Sequence, residues 1–211
     1  MPKAKQRLEW VLVLAVWAVV IAGGESILLN YEIRPGSPAQ PPQTWPLETD
    51  IQKSPERAAL LMFVHPRCPC SRASLEELAR LTARCGEKAD IQIIFLSPGK
   101  QPASWTKTDL WEKAGAIPGV QVRLDKNGKE AKHFRVSTSG QTLLYGRDGQ
   151  LLFNGGITAS RGHSGDNAGR SALEDLLLKG ASERSRTPVF GCSLIDQRAG
   201  FFERFLSLWK K

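Results

Sequence analysis

The feature that most constrains the fold of this chain is one junction, FVHPRCPCSRASLEELARL, residues 63–81. The apolar run AALLMFV ends there at Val64, and its length and composition predict a fully buried β-strand. Two cysteines separated by one proline, Cys68 and Cys70, follow the strand. A helix is predicted next, up to Gly86, because apolar residues recur at helical spacing: Leu75, Leu78, Ala79 and Leu81. The junction therefore predicts two thiols at the turn between a buried strand and a helix.

The rest of the chain predicts an α/β domain built around this junction. A second strand, ADIQIIFL, follows the helix, and a strand-helix-strand unit implies a parallel pair with a right-handed crossover. Later patterns predict a helix over SWTKTDLWEKAGA, a strand at GVQVRLD, a brief helix at KEAKHFRV, a hairpin around the Asp-Gly turn of QTLLYGRDGQLLFNGGI, and a helix at SALEDLLL.

The N-terminal segment predicts export. Lys3, Lys5 and Arg7 precede an uncharged run over residues 10–24, and the apolar ILL extends that run. By the positive-inside rule, residues 1–30 form a single-pass membrane anchor that leaves the domain on the periplasmic or extracytoplasmic side. The alternative is a signal peptide cleaved after the small residues AGG. Either route exports all four cysteines to a compartment where disulfides persist: Cys68, Cys70, Cys85 and Cys192.

After the anchor, composition divides the chain into a linker, a domain and a C-terminal extension. Residues 31–48 contain the proline-rich RPGSPAQPPQTWP and predict an extended linker, followed by the domain over residues 49–180. A C-terminal extension, residues 181–211, ends in FFERFLSLWKK, an amphipathic helix that binds anionic lipid or docks on the domain. The net charge of +8 is spread over the whole chain. Without a nucleic-acid-binding motif, we expect no nucleic-acid partner.

Several motifs resemble the thioredoxin-like superfamily. FVHPRCPC resembles the junction that carries the family's catalytic cysteines, and LDKNGKEAKHFRV and LLYGRDGQLLFNGGI resemble later parts of membrane-anchored proteins of the TlpA/ResA type. HPRCPCSRASLEEL together with RGHSGDNAG is most similar to the bacterial RedB-type proteins. The resemblance covers residues 56–179. It implies a thioredoxin-like fold, a central mixed sheet flanked by helices, and thiol–disulfide exchange with protein thiols or disulfides.

The chain departs from the family pattern at two places. The spacing is Cys68-Pro69-Cys70 instead of Cys-x-x-Cys, with Ser71 at the position of the second family cysteine. The family's cis-proline position falls on Gln141, after Gly140, so substrate handling is expected to differ. The resemblance implies substrate contacts from the groups around this groove: His65, Gly140, Gln141 and Arg161.

A physical argument for reactive sulfur stands beside the resemblance. If Cys68 caps the helix, Pro69 lies at the first helical position, where its missing N–H costs nothing. The first-turn N–H groups and the helix dipole then favour thiolate. Cys68 is the candidate nucleophile and Cys70 the candidate resolving thiol, in a strained and therefore labile small ring. This reaction requires no cofactor.

Two other functions remain open from the sequence. His65, Cys68 and Cys70 are three soft ligands within six positions, which suits copper or zinc and predicts a metal-delivery protein. Alternatively, all the cysteines are structural and the domain is a tethered, non-catalytic binding module.

Three polar or sulfur groups outside the junction are further candidates. A thioredoxin-like fold implies that residues 158–170 overhang the cysteines, where His163 would act as a base or ligand, unless the loop only satisfies its own backbone. Cys85 and Cys192 are expected to form a structural disulfide. In the alternative, Cys192 reaches Cys70 and is the resolving cysteine.

Overall fold

The apolar run after the proline-rich segment forms the central strand of a five-stranded sheet, and all but its first residue are buried. The computed structural model describes residues 2–37, 39–99 and 101–194. Its elements in chain order are helix α1 (Pro2–Ile33), strand β1 (Ala58–Val64), helix α2 (Ser71–Cys85), a 3-10 turn (Gly86–Lys88), β2 (Ala89–Ser97), α3 (Ala103–Thr106), α4 (Asp109–Gly115), β3 (Val120–Lys126), α5 (Lys129–His133), β4 (Gln141–Tyr145), β5 (Leu151–Gly155) and α6 (Ala168–Lys179).

The strand order is β3-β2-β1-β4-β5. Strands β1, β2 and β3 are parallel, and α2 makes the crossover from β1 to β2. Strands β4 and β5 form an antiparallel hairpin that joins the sheet at β1. This mixed sheet with flanking helices is the thioredoxin-like fold that the sequence predicts. Phe63, near the end of β1, pairs with Gln141, the first residue of β4. The chain that enters β4 therefore passes close to the loop that carries the cysteines.

The core lies on both faces of the sheet, as the unbroken apolar sequence of β1 requires. Leu60, Met62 and Val64 pack on one face against α2, α4 and α6. Leu61 and Phe63 pack on the other face with α5 and the aromatic rings beside it. The predicted apolar stripe of α2 is confirmed, since Leu75, Leu78 and Leu81 are fully or almost fully buried.

The helix predicted over SWTKTDLWEKAGA is wrong in one respect, because the chain forms two short helices there, α3 and α4. Between them Thr108 has an extended backbone. Its hydroxyl donates to the carbonyl oxygen of Pro66 at 2.9 Å. This tertiary hydrogen bond ties the segment to the cysteine-bearing loop and outweighs the local helical preference.

Helix α1 is long and apolar enough to cross a membrane. Within Gln6–Ile33, an 18-residue stretch has a mean hydropathy of 2.3, and none of that stretch is buried. At about 1.5 Å per residue such a helix exceeds the ~30 Å of a bilayer core. Residues 2–34 form one unit, and the described residues from Pro35 onward form the other.

The proline-rich segment expected as a linker over residues 31–48 is bonded to the domain along part of its length. The Trp45 N–H donates to the carbonyl oxygen of Gly149 at 2.8 Å, and the Tyr145 hydroxyl donates to that of Pro42 at 3.0 Å. The Trp45 ring also packs edge-on against Tyr145 and Phe134. The segment docks because its tryptophan covers an apolar face of the sheet.

The C-terminal extension is described as far as residue 194. The predicted amphipathic helix FFERFLSLWKK lies outside the described residues.

Candidate active site

The cysteine-bearing loop is a hydrogen-bonded turn at the end of β1. The Cys68 N–H donates to the carbonyl oxygen of His65 at 3.0 Å, and the Ser71 N–H donates to that of Cys68 at 3.1 Å. Helix α2 begins at Ser71, so the residue at its N-cap is Cys70 and not Cys68. The expected cap is therefore displaced by two residues, because Pro69 and Cys70 form a turn before the helix starts.

Two buried serines, Ser71 and Ser139, lie beside the cysteine-bearing turn. The Ser71 and Ser139 oxygens are 2.7 Å apart, and the His65 N–H donates to Ser139 Oγ at 2.7 Å. The two serines therefore link His65, at the start of the cysteine-bearing turn, to the first residue of α2.

A third thiol, that of Cys192, lies beside Cys68. The Cys192 N–H donates to the Cys68 sulfur at 3.4 Å, and the Cys192 thiol also hydrogen-bonds to it. The sequence predicts Cys192 either as a structural cysteine, paired with Cys85 or with a cysteine of the junction, or as the resolving partner of Cys70. Because 124 residues separate Cys192 from Cys68 along the chain, their spacing does not predict that the two lie side by side. The only sequence signal is the Gly-Cys pair of TPVFGCSL, in which a glycine permits close backbone approach.

These donors favour a thiolate at Cys68. The hydrogen bond from the Cys192 thiol, followed by those from Ser71, lowers the pKa of Cys68 to about 4, although the side chain is fully buried. The same hydrogen bond raises the pKa of Cys192, because the proton that it shares stabilises the neighbouring sulfur. The pair therefore has one strong acceptor, Cys68, and one proton-holding partner, Cys192.

Cys70, like Cys192, is not activated as a thiolate. Burial, and then the nearby charge of Cys68, raise the pKa of Cys70, while Arg161 acts in the opposite direction. Arg161 Nη1 also donates to the carbonyl oxygen of Gly191 at 2.6 Å. The predicted involvement of Arg161 at the site thus takes the form of a contact with Cys70 and with the segment that carries Cys192.

His65 lines the cysteine loop and is half-buried. Burial lowers the pKa of its imidazole. Its Nδ1 accepts the Arg67 N–H at 3.2 Å, and its ring packs edge-on against Trp105 at 5.4 Å. Among residues 2–37, 39–99 and 101–194, no group of three or more His, Cys, Asp or Glu side chains is arranged to hold a metal ion.

The remaining predicted site residues lie in different environments. His163 is exposed on its loop and forms a β-bridge with Ser160. Gly140 has a φ of +87° and donates its N–H to the carbonyl oxygen of Phe63 at 2.8 Å. The Gln141 side chain is buried and donates to Asn154 Oδ1 at 2.8 Å, so its amide serves the hairpin.

The expected disulfide between Cys85 and Cys192 is wrong, because the two residues lie in different parts of the domain. Cys85 belongs to the apolar core at the end of α2, where its thiol donates to the carbonyl oxygen of Leu81 at 3.1 Å. All four cysteines are free thiols in the structure. Helix geometry fixes Cys85 in the core, whereas the C-terminal segment takes Cys192 to Cys68.

Comparison with known proteins shows the fold alone. The sequence matches no protein-family model and no curated protein. It is similar in structure to an uncharacterized conserved protein from Geobacillus kaustophilus (21% identity, TM-score 0.55, covering 77% of this chain and 92% of the other). A hypothetical protein from Sinorhizobium meliloti 1021 is 20% identical (TM-score 0.51, covering 77% and 94%). A putative thiol:disulfide interchange protein DsbE from Chlorobium tepidum is 17% identical (TM-score 0.44, covering 70% and 97%).

Proposed function

We propose that this protein is an exported, membrane-tethered thiol–disulfide oxidoreductase whose nucleophile is Cys68. The observation that carries the proposal is the convergence of three thiols at the end of the central strand, where the Cys192 N–H donates to the Cys68 sulfur and only the pKa of Cys68 is lowered. Thiolate is the form that attacks a disulfide. The substrates are protein disulfides or thiols, and the reaction needs no metal or organic cofactor.

The tethering part of the proposal rests on α1. Its apolar stretch is long enough to span a bilayer, and Lys3, Lys5 and Arg7 precede it. The positive-inside rule puts the domain on the extracytoplasmic side. The motifs shared with TlpA/ResA-type and RedB-type proteins support the same arrangement. Protease added to intact spheroplasts should therefore digest the domain, and protection of the domain until lysis would contradict the topology.

The exchange reaction is tested on the full chain in detergent micelles. The reduced protein is mixed with glutathione disulfide, and the release of reduced glutathione is followed with time. Cys68→Ser should abolish the release, because no other thiol is stabilised as thiolate. Cys85→Ser is the matched control, since it makes the same substitution in the apolar core, and it should retain the activity of the natural chain.

Two results would overturn the proposal. One is a Cys68→Ser variant as active as the natural chain. The other is a natural chain that does not react with disulfides and carries a stoichiometric metal ion, which would instead establish the metal-delivery function.

A further inference from the structure

The segment after α6 returns to the sheet and ends at the active site. We call residues 185–194 the C-terminal strap. Its first part extends the sheet beyond β5, since the Asn154 N–H donates to the carbonyl oxygen of Ser185 at 2.9 Å and Arg186 forms a parallel bridge with Asn154. The strap is therefore docked on the domain by backbone hydrogen bonds well before it reaches Cys192.

The last part of the strap forms a short antiparallel pair with the chain that enters β4. The Ser139 N–H donates to the carbonyl oxygen of Cys192 at 2.8 Å, and the Leu194 N–H donates to that of Ser137 at 2.8 Å. Thr138 and Ser193 form the bridge between these bonds. The strap thus uses the free backbone groups of residues 137–139, which lie beside the cysteine-bearing turn.

The close fit of the strap depends on glycine at the point of contact. A Cβ added to Gly191 would lie 1.9 Å from the Ser139 carbonyl oxygen, and one added to Gly156 would lie 2.7 Å from that of Pro188. Real Cβ atoms do not approach backbone oxygens so closely. The two backbones therefore touch without intervening side chains, and a single methyl group at residue 191 is enough to separate them.

The docked strap closes the site. Cys68 is fully buried, and the Cys192 N–H and thiol both contact its sulfur. A disulfide of another protein cannot reach a sulfur with no exposed surface, so the strap must leave before any exchange. The backbone groups that it vacates at residues 137–139 would then accept another extended chain by strand addition.

We propose that Cys192 is the resolving cysteine of Cys68 and that the strap occupies, in the resting protein, the edge on which an extended, cysteine-containing client segment binds. The inference rests on the proposed exchange function. It assigns the second redox cysteine to the strap instead of to Cys70. Cys70 is held at the N-cap of α2 within a hydrogen-bonded turn, whereas Cys192 lies on the strap and donates its N–H to the Cys68 sulfur.

The Cys68 and Cys192 sulfurs together supply the two electrons that reduce the client disulfide. The Cys68 thiolate attacks one sulfur of the client disulfide, the S–S bond breaks, and the second client sulfur leaves as thiolate. When the strap returns, the Cys192 sulfur attacks Cys68, releases the first client sulfur as thiolate, and passes its proton to a departing client thiolate. The client disulfide is reduced to one thiol and one thiolate, which takes its proton from water, and the Cys68–Cys192 disulfide forms. An external dithiol restores the starting state.

Trapping with glutathione disulfide separates the two candidate resolving cysteines. In the full-length Cys192→Ser variant, attack by Cys68 should leave a stable glutathione adduct on Cys68, detected by mass spectrometry. In Cys70→Ser the adduct should be absent, and the peptides of Cys68 and Cys192 should be joined by a disulfide. An adduct that accumulates in Cys70→Ser but not in Cys192→Ser overturns the inference and leaves the exchange function standing. No reaction in any variant that retains Cys68 overturns the exchange function itself.

Gly191→Ala tests the strap directly, because it keeps Cys192 and removes the close fit. Alkylation of reduced Cys68 by iodoacetamide should become at least about fivefold faster, since overpacking this contact weakens docking by that factor or more. Gly115→Ala is the control, because an added Cβ there meets nothing within 4 Å. Equal alkylation rates in the two variants, both with unchanged thermal unfolding, would show that the strap does not cover Cys68.

Discussion

Replacement of Cys192 by alanine should raise the pKa of Cys68, because it removes the largest of the interactions that stabilise the thiolate. A hydrogen bond to a charged group contributes about 1.5–3 kcal/mol. Since about 1.36 kcal/mol corresponds to one pH unit, the loss should move the pKa of Cys68 upward by about 1 to 2 pH units. The Cys192 N–H and the Ser71 donors remain, so the pKa should stay below the ordinary value for a cysteine.

The assay is the thiolate absorbance near 240 nm of the fully reduced full-length protein, titrated with pH. The natural chain should show one low transition, near the pKa of about 4 set by the neighbouring donors. Cys192→Ala should move this transition upward, and Cys192→Ser, whose hydroxyl can still donate, should move it less. Cys68→Ser should remove it, which assigns the transition to Cys68.

One result would refute this account of the thiolate. If the low transition has the same midpoint in the natural chain and in Cys192→Ala, the Cys192 thiol does not stabilise the Cys68 sulfur. The same holds if alanine and serine at residue 192 raise the midpoint equally, because the donor is then irrelevant.

Three further predictions concern stability, measured by denaturant unfolding of the reduced protein. Glu77→Ala should cost about 3–5 kcal/mol, because Arg170 loses the fully buried carboxylate beside it and the Gly165 N–H loses its acceptor; an effect below about 1 kcal/mol would contradict this. Ser139→Ala should cost about 1–3 kcal/mol, since the His65 N–H loses its acceptor; unchanged stability would show that another group satisfies it. Because the folded-state pKa of Cys68 lies below its unfolded value, the stability difference between the natural chain and Cys68→Ser should grow as pH rises from about 4 to about 8.5, whereas a difference that falls over this window reverses the sign.

The parts of the fold that could be predicted from sequence are those in which one segment carries its own pattern. The run AALLMFV is apolar at every position, and it forms the strand that is buried on both faces. The helix predicted to end before Gly86 does so, because Gly86 begins a 3-10 turn. The hairpin forms around the Asp-Gly turn, where Gly149 has a φ of +79°.

The parts that could not be predicted depend on contacts between distant segments. Thr108 interrupts a helical pattern because its hydroxyl finds the Pro66 carbonyl. The proline-rich segment docks through Trp45, although its composition is that of a linker.

The candidate site shows the same division between local and distant signals. Cys68 and Cys70 are marked by the local strand-to-helix junction. The proximity of Cys192 depends on strand pairing between its segment and residues 137–139, which have no alternating apolar pattern to predict a strand. Four cysteines allow three full pairings, and sequence spacing alone cannot choose among them.

The most direct test of the account is a redox titration of the natural full-length chain in glutathione buffers, with alkylation of the remaining thiols and a disulfide map at each potential. We expect a single disulfide, between Cys68 and Cys192, that opens and closes reversibly at a potential within about −120 to −270 mV, while Cys70 and Cys85 stay reduced. A Cys68 that remains a free thiol across the whole range would contradict the exchange function. A reversible Cys68–Cys70 disulfide would keep that function and contradict the role of Cys192.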